Sequence, residues 1–90
     1  MLVVVVETET FQAEFLHTSE LPEQVFTQAR EEGKGLFSES LLLLGKALLD
    51  PGKREAFESL RLSEAIKVWN IYRLAMPEER GMPDGVPEGL

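Results

Sequence analysis

The sequence predicts an α+β fold in which a short N-terminal β-hairpin or strand packs on a small bundle of about four helices. Three observations predict it. β-branched and alternating residues open the chain, apolar residues at helical spacing follow, and a segment rich in Pro, Gly and acidic residues closes it. A chain of 90 residues is long enough for one core. We therefore expect a single domain over residues 1–76 and a tail over residues 77–90.

The first segment has the pattern of two strands. Residues 2–6 are one Leu and four Val, which favours a strand with apolar residues on both faces. Phe11, Ala13 and Phe15 then alternate with polar residues, which favours a half-buried strand. The joining residues, 7–10, include no Gly or Asn for a tight turn. Because a strand pair alone is rarely stable in water, this pair must pack on helices or pair with another chain.

Two helices are predicted next, over residues 22–32 and over about 37–49. Pro22 suits the first turn of the first helix, and Gly33 and Gly35 end it. Ser38 is the expected cap of the second helix. The apolar residues of the first helix are Val25, Phe26 and Ala29, and those of the second are Phe37, Leu41, Leu42, Leu43, Leu44, Leu48 and Leu49. A helix that is apolar on so many sides lies in the core or is partly covered by a partner.

Two more helices follow a break at residues 50–52. Asp50 is the expected cap of a short helix over residues 51–59, and Ser63 the cap of a last helix over residues 64–76. The short helix should turn Ala56, Phe57 and Leu60 inward. The last helix has an apolar stripe formed by Ala65, Val68, Trp69, Tyr72 and Met76, with Ile66, Ile71 and Leu74 beside it.

The composition excludes several classes of function. Nine Lys and Arg stand against sixteen Asp and Glu, so the formal net charge is -7. This balance opposes binding to nucleic acids and to anionic lipid, since both need a basic surface. With no Cys and one His, a thiolate metal cluster and a multi-histidine site are excluded. For the same reason we expect no metal or cofactor. No signal peptide or membrane-spanning stretch is visible, so we expect a protein of the cytoplasm.

Three features could suggest chemistry, and each has a simpler interpretation. His17 could act as a base, but no Gly-x-Ser-x-Gly motif accompanies it, so we expect an exposed or capping histidine. Glu7 and Glu9 are expected to share a solvated strand face. The segment at residues 33–35, Gly-Lys-Gly, lacks the other residues of a phosphate loop and is interpreted as a helix break. No catalytic residue is predicted, and we do not expect an enzyme.

The excess of apolar residues instead favours a protein-binding surface, for a second copy of the chain or for a helix of a client protein. Trp and Tyr are enriched at the centres of such interfaces. The residues expected to form the surface are Leu42, Leu43, Trp69, Tyr72, Ile71, Leu74 and Met76.

The second half of the chain has a set of apolar, acidic and small residues: Ala56, Phe57, Glu58, Ser59, Leu60, Leu62, Ser63, Glu64 and Trp69. With these residues, the chain resembles the tail assembly chaperones of long-tailed phages of actinobacteria over three stretches, residues 20–35, 37–51 and 53–74. The resemblance implies a protein of the host cytoplasm that shields the long helices of the tape measure protein until tail-tube subunits polymerise around it. Two alternatives remain open. One is a structural virion component, such as a head–tail connector or ring-forming subunit, and the other is a small acidic inhibitor or antitoxin that binds a host protein.

Overall fold

The structure, a computed structural model, describes residues 1–81, apart from the side chain of Leu36, and has the α+β arrangement that the sequence predicts. The strands are β1 (Leu2–Glu7), β2 (Gln12–Leu16) and β3 (Glu78–Glu79), and the helices are α1 (Glu23–Glu32), α2 (Leu36–Ala47), α3 (Arg54–Glu58) and α4 (Leu62–Leu74). Short 3-10 turns at Thr18–Glu20 and Pro51–Lys53 precede α1 and α3. The strands form one antiparallel sheet in the order β2-β1-β3.

The hairpin between β1 and β2 forms without Gly or Asn because the hydroxyl of Thr8 satisfies the turn. Its oxygen accepts the backbone N–H of Phe11 at 3.0 Å and that of Thr10 at 3.3 Å. The same hydroxyl donates to the carbonyl of Phe11 at 3.2 Å. A Thr side chain thus provides the hydrogen bonds of the turn. The turn needs no left-handed residue, since among residues 1–81 no residue other than Gly has a positive φ. Glu9 lies in this turn rather than on the strand face where we expected it beside Glu7.

The core lies between one face of the hairpin and α2, α3 and α4. Phe15 is at its centre: its ring lies 5.8 Å from that of Tyr72 and 6.1 Å from that of Phe57, both in edge-on geometry. Its main buried residues are Val4, Val6, Phe11, Ala13, Phe15, Leu44, Ala47, Val68 and Tyr72. The expected alternation in β2 is confirmed, since Phe11, Ala13 and Phe15 are all buried.

The helix α2 ends at Ala47, two residues earlier than predicted, because the next two residues join the sheet. Leu48 is extended and forms a bridge with Phe15, and the N–H of Leu49 donates to the carbonyl of Glu14 at 3.0 Å. These contacts cover part of the outer edge of β2. They also place α2 on the β2 side of the sheet.

The third strand was not predicted, because residues 78–80 were assigned to the tail. β3 pairs with Leu2 and Val3 of β1. Arg80 directly follows β3, and its guanidinium donates to Glu14 on β2 at 2.5 Å and to Glu78 at 3.0 Å. Its side chain therefore reaches across β1 to β2 and ties the three strands together. The remaining tail, residues 82–90, lies outside the described residues.

Three predicted helix starts are corrected. Gly35, not Ser38, is the N-cap of α2, and its φ of 150° favours glycine. Arg61, not Ser63, is the N-cap of α4, and its N–H donates to the carboxylate of Glu64 at 3.3 Å. The expected helix over residues 51–59 is a 3-10 turn followed by α3.

Other predictions for these connections have mixed outcomes. The Asp50 cap is confirmed, with its carboxylate accepting the N–H of Gly52 at 2.8 Å. Phe57 and Leu60 pack against the core as expected, but Ala56 is exposed, so its inward placement was wrong.

Candidate protein-binding surface

His17, the residue that could have acted as a base, has a structural role. His17 caps the turn that follows β2, with its Nδ1 accepting the N–H of Ser19 at 3.2 Å and lying 2.8 Å from the Ser19 hydroxyl. The expected capping role of this histidine is confirmed. Within residues 1–81, no group of three or more His, Cys, Asp or Glu side chains could hold a metal ion.

A hydrogen bond ties the hairpin turn to α4. The Thr10 hydroxyl donates to the Glu64 carboxylate at 2.5 Å, and this bond lowers the pKa of Glu64 below its ordinary value, with the backbone N–H of Arg61 adding to the effect. Glu64 therefore stays ionised and holds the first turn of α4 against the hairpin.

Two of the expected surface residues lie inside the protein. Tyr72 is 2% exposed and Leu43 is 8% exposed. The Tyr72 hydroxyl donates to the carbonyl of Leu16 at 2.6 Å, and burial raises the pKa of Tyr72 to about 12. Because their side chains are already covered by their own chain, neither residue belongs to a free contact surface.

Trp69 lies in a shallow groove of about 160 Å³ between α1, α2 and α4. Phe26, Leu43, Arg30 and Glu39 line the same groove. The indole also stacks on the Tyr72 ring, with centroids 5.8 Å apart. This half-buried indole joins α4 to the first two helices, and Leu42 lies apart from it, in a groove between α2 and α3.

The largest exposed apolar side chains among the remaining predicted residues lie at the C-terminal end of α4. Leu74 is 72% exposed and Met76, two residues beyond the helix, is 88% exposed. Ile71 is half-buried and lies on the same side of α4 as Leu74, because the two are three residues apart. We call these three residues the α4-end patch. Two further exposed apolar residues, Phe37 (51%) and Leu62 (59%), lie in the first turns of α2 and α4.

Next to this patch is a cleft of about 450 Å³ that sequence reasoning missed. It lies between the hairpin turn and one side of α4, and it is lined by Thr8, Glu9, Thr10, Glu64, Lys67, Asn70 and Ile71. Ile71 belongs to both the cleft and the α4-end patch. The turn residues and the α4 residues are more than 50 positions apart in the chain, so no local pattern could have indicated the cleft.

The chain matches no protein-family model, no curated protein and no solved structure. In the part that the structure describes, every helix is too short or too polar to cross a bilayer.

Proposed function

We propose that the chain is a non-catalytic protein-binding module, and specifically a tail assembly chaperone of a long-tailed phage that acts in the host cytoplasm. The observation that carries the binding role is the α4-end patch, where Leu74 and Met76 leave most of their apolar surface in water. The phage role rests on the resemblance of residues 20–76 to that family. In this role the chain shields helices of a tape measure protein and helps to recruit tail-tube subunits.

The patch has the chemistry that an amphipathic helix requires. A client helix presents apolar side chains on one face, at spacings of three and four residues. Ile71 and Leu74 have this spacing on α4, and Met76 adds exposed apolar surface just beyond the end of the helix. Covering an exposed Leu or Met side chain contributes about 1.5–3 kcal/mol. Because association also costs translational and rotational freedom, these two side chains act together with further contacts along the client helix. The net charge of -7 keeps several copies on one client from aggregating.

The experiment compares two double variants of the tagged full chain in cells that express the neighbouring genes. In the first, Leu74→Glu is combined with Met76→Glu. In the matched control, Phe37→Glu is combined with Leu62→Glu, which adds the same charge at two other exposed apolar positions. We expect the first variant to recover at least tenfold less of a long helical client than the unmodified chain, and the control to recover a similar amount.

Several results would contradict the proposal. Equal recovery by both variants would show that the α4-end patch is not the contact. Fixed, symmetric numbers of this chain in purified virions would favour a connector instead. Tight binding to one folded host protein, with a change in its activity, would favour an inhibitor or antitoxin.

A further inference from the structure

The edges of the sheet are covered unequally. Leu48 and Leu49 cover part of the outer edge of β2. On the other side, β3 has only two residues and pairs with Leu2 and Val3 alone. The second half of β1, from residue 4 to residue 7, has no strand beside it on that side within residues 1–81.

The hydrogen-bond pattern shows which backbone groups are left open. His17 N–H donates to the carbonyl of Leu2 at 3.0 Å, and Thr8 N–H donates to the carbonyl of Phe11 at 2.7 Å. Since bonded pairs recur at every second residue of an antiparallel ladder, the even-numbered residues of β1 bond to β2. The odd-numbered residues direct their N–H and C=O groups to the other edge. Val5 and Glu7 therefore present a short row of backbone donors and acceptors that has no partner strand in the described part of the chain.

The cleft beside the hairpin turn lies on this same side. Trp69 faces the groove that it shares with Leu43 of α2, and α2 lies on the β2 side of the sheet. Ile71 follows Trp69 by two residues, which is about 200° around the helix. Ile71 therefore faces away from α2, and the cleft that it lines also includes Thr8, the residue that directly follows β1.

We infer that the open edge of β1 binds an extended segment of a partner protein in which apolar and basic residues alternate. The row of unpaired backbone groups selects an extended strand, because only a strand can bond to it. Ile71 provides an apolar floor for the side chains that face the cleft. Glu7, the last residue of β1, and Glu9, in the turn that follows, are exposed and form an acidic rim at this end of the β1 edge, which favours Lys or Arg on the incoming segment.

Charge argues against a second copy of this chain as the occupant. Each copy carries a net charge of -7, and two β1 edges pairing with each other would bring the acidic rims together. The inferred contact shares Ile71 with the α4-end patch but not Leu74 or Met76, and it does not rest on the phage role.

The probes are two acetylated, amidated peptides of eight residues, one alternating Val with Lys and the other alternating Val with Glu. The full chain labelled with ¹⁵N is titrated with each peptide, and amide shifts and hydrogen exchange are followed. With the Lys peptide, we expect the Val5 and Glu7 amides to shift and to exchange at least tenfold more slowly. The Val4 and Val6 amides serve as internal controls, since they already bond to β2, and they should change little.

The charge argument is tested with two double variants that change the net charge equally. Glu7→Lys with Glu9→Lys should weaken binding of the Lys peptide at least tenfold, whereas Glu31→Lys with Glu32→Lys, at the exposed end of α1, should leave it within twofold. Equal binding of both peptides, or shifts that avoid Val5 and Glu7, would overturn the inference. Protection of these two amides that grows with protein concentration alone, together with dimer formation in sedimentation, would also overturn it.

Discussion

Replacing Tyr72 with Phe should destabilise the protein at neutral pH and stabilise it relative to the unmodified chain at high pH. At neutral pH the change removes the hydroxyl that donates to the carbonyl of Leu16 at 2.6 Å. A hydrogen bond of this kind contributes about 0.5–1.5 kcal/mol to the free energy of unfolding. We therefore expect Tyr72→Phe to lower that free energy by about 1 kcal/mol at pH 7.

The reversal at high pH follows from the raised pKa. Burial raises the pKa of Tyr72 to about 12 in the folded state, against an ordinary value of 10.0. Above pH 10 the unfolded chain loses this proton more readily than the folded one, so the free energy of unfolding falls as the pH rises. The stability that comes from this raised pKa is fully present below pH 10 and is mostly lost by about pH 12. At about pH 11 the free energy of unfolding has fallen by about 1.4 kcal/mol. The variant has no proton to lose at this site, so the two stabilities should cross near about pH 11.

The assay is well defined because the chain has one Tyr and one Trp. Urea unfolding followed by Trp69 fluorescence gives the free energy of unfolding at each pH, and absorbance at 295 nm reports ionisation of Tyr72 alone. Differences between the unmodified chain and the variant remove the contribution of Lys titration, which both share. A titration midpoint near the ordinary value, or two stability curves that stay parallel to pH 12, would refute the burial argument.

Two further predictions concern the connections between elements. Thr8→Val should lower the free energy of unfolding by about 1–2 kcal/mol, because the turn amides of Thr10 and Phe11 lose their acceptor while the side-chain volume stays similar. Urea unfolding measures this change. An unchanged midpoint of unfolding would contradict the role of the hydroxyl. Gly33→Ala should lower the free energy of unfolding by about 1–3 kcal/mol, because the added Cβ would lie 2.7 Å from the carbonyl oxygen of Ala29 and 2.8 Å from the backbone nitrogen of Glu39. Thermal unfolding measures this loss. A melting temperature equal to that of the unmodified chain would show that the corner between α1 and α2 relaxes without loss of stability.

The fold could be predicted where local periodicity decides the structure. The alternation of Phe11, Ala13 and Phe15 identified β2, and apolar spacing located all four helices to within a few residues. The short β3 was missed because its pairing depends on a distant partner. Its Glu residues disfavour a strand by themselves, and only the register with β1 and the contact of Arg80 with Glu14 make it one.

The candidate surface was predictable only in part, for the same reason. Spacing showed that Tyr72 and Leu74 both lie on α4, but it did not show which side of α4 the hairpin covers. The structure buries Tyr72 against Leu16 and leaves Leu74 exposed.

The sequence by itself determined the class of the fold, the order of its four helices and first two strands, and the net charge of -7. These properties depend on residue type and on spacing along a few turns of chain. Tertiary structure alone decided which apolar side chains stay exposed and which part of the β1 edge has no strand beside it among residues 1–81. Both depend on contacts between residues such as Thr10 and Glu64, which are far apart in the chain and meet only when the hairpin packs on α4.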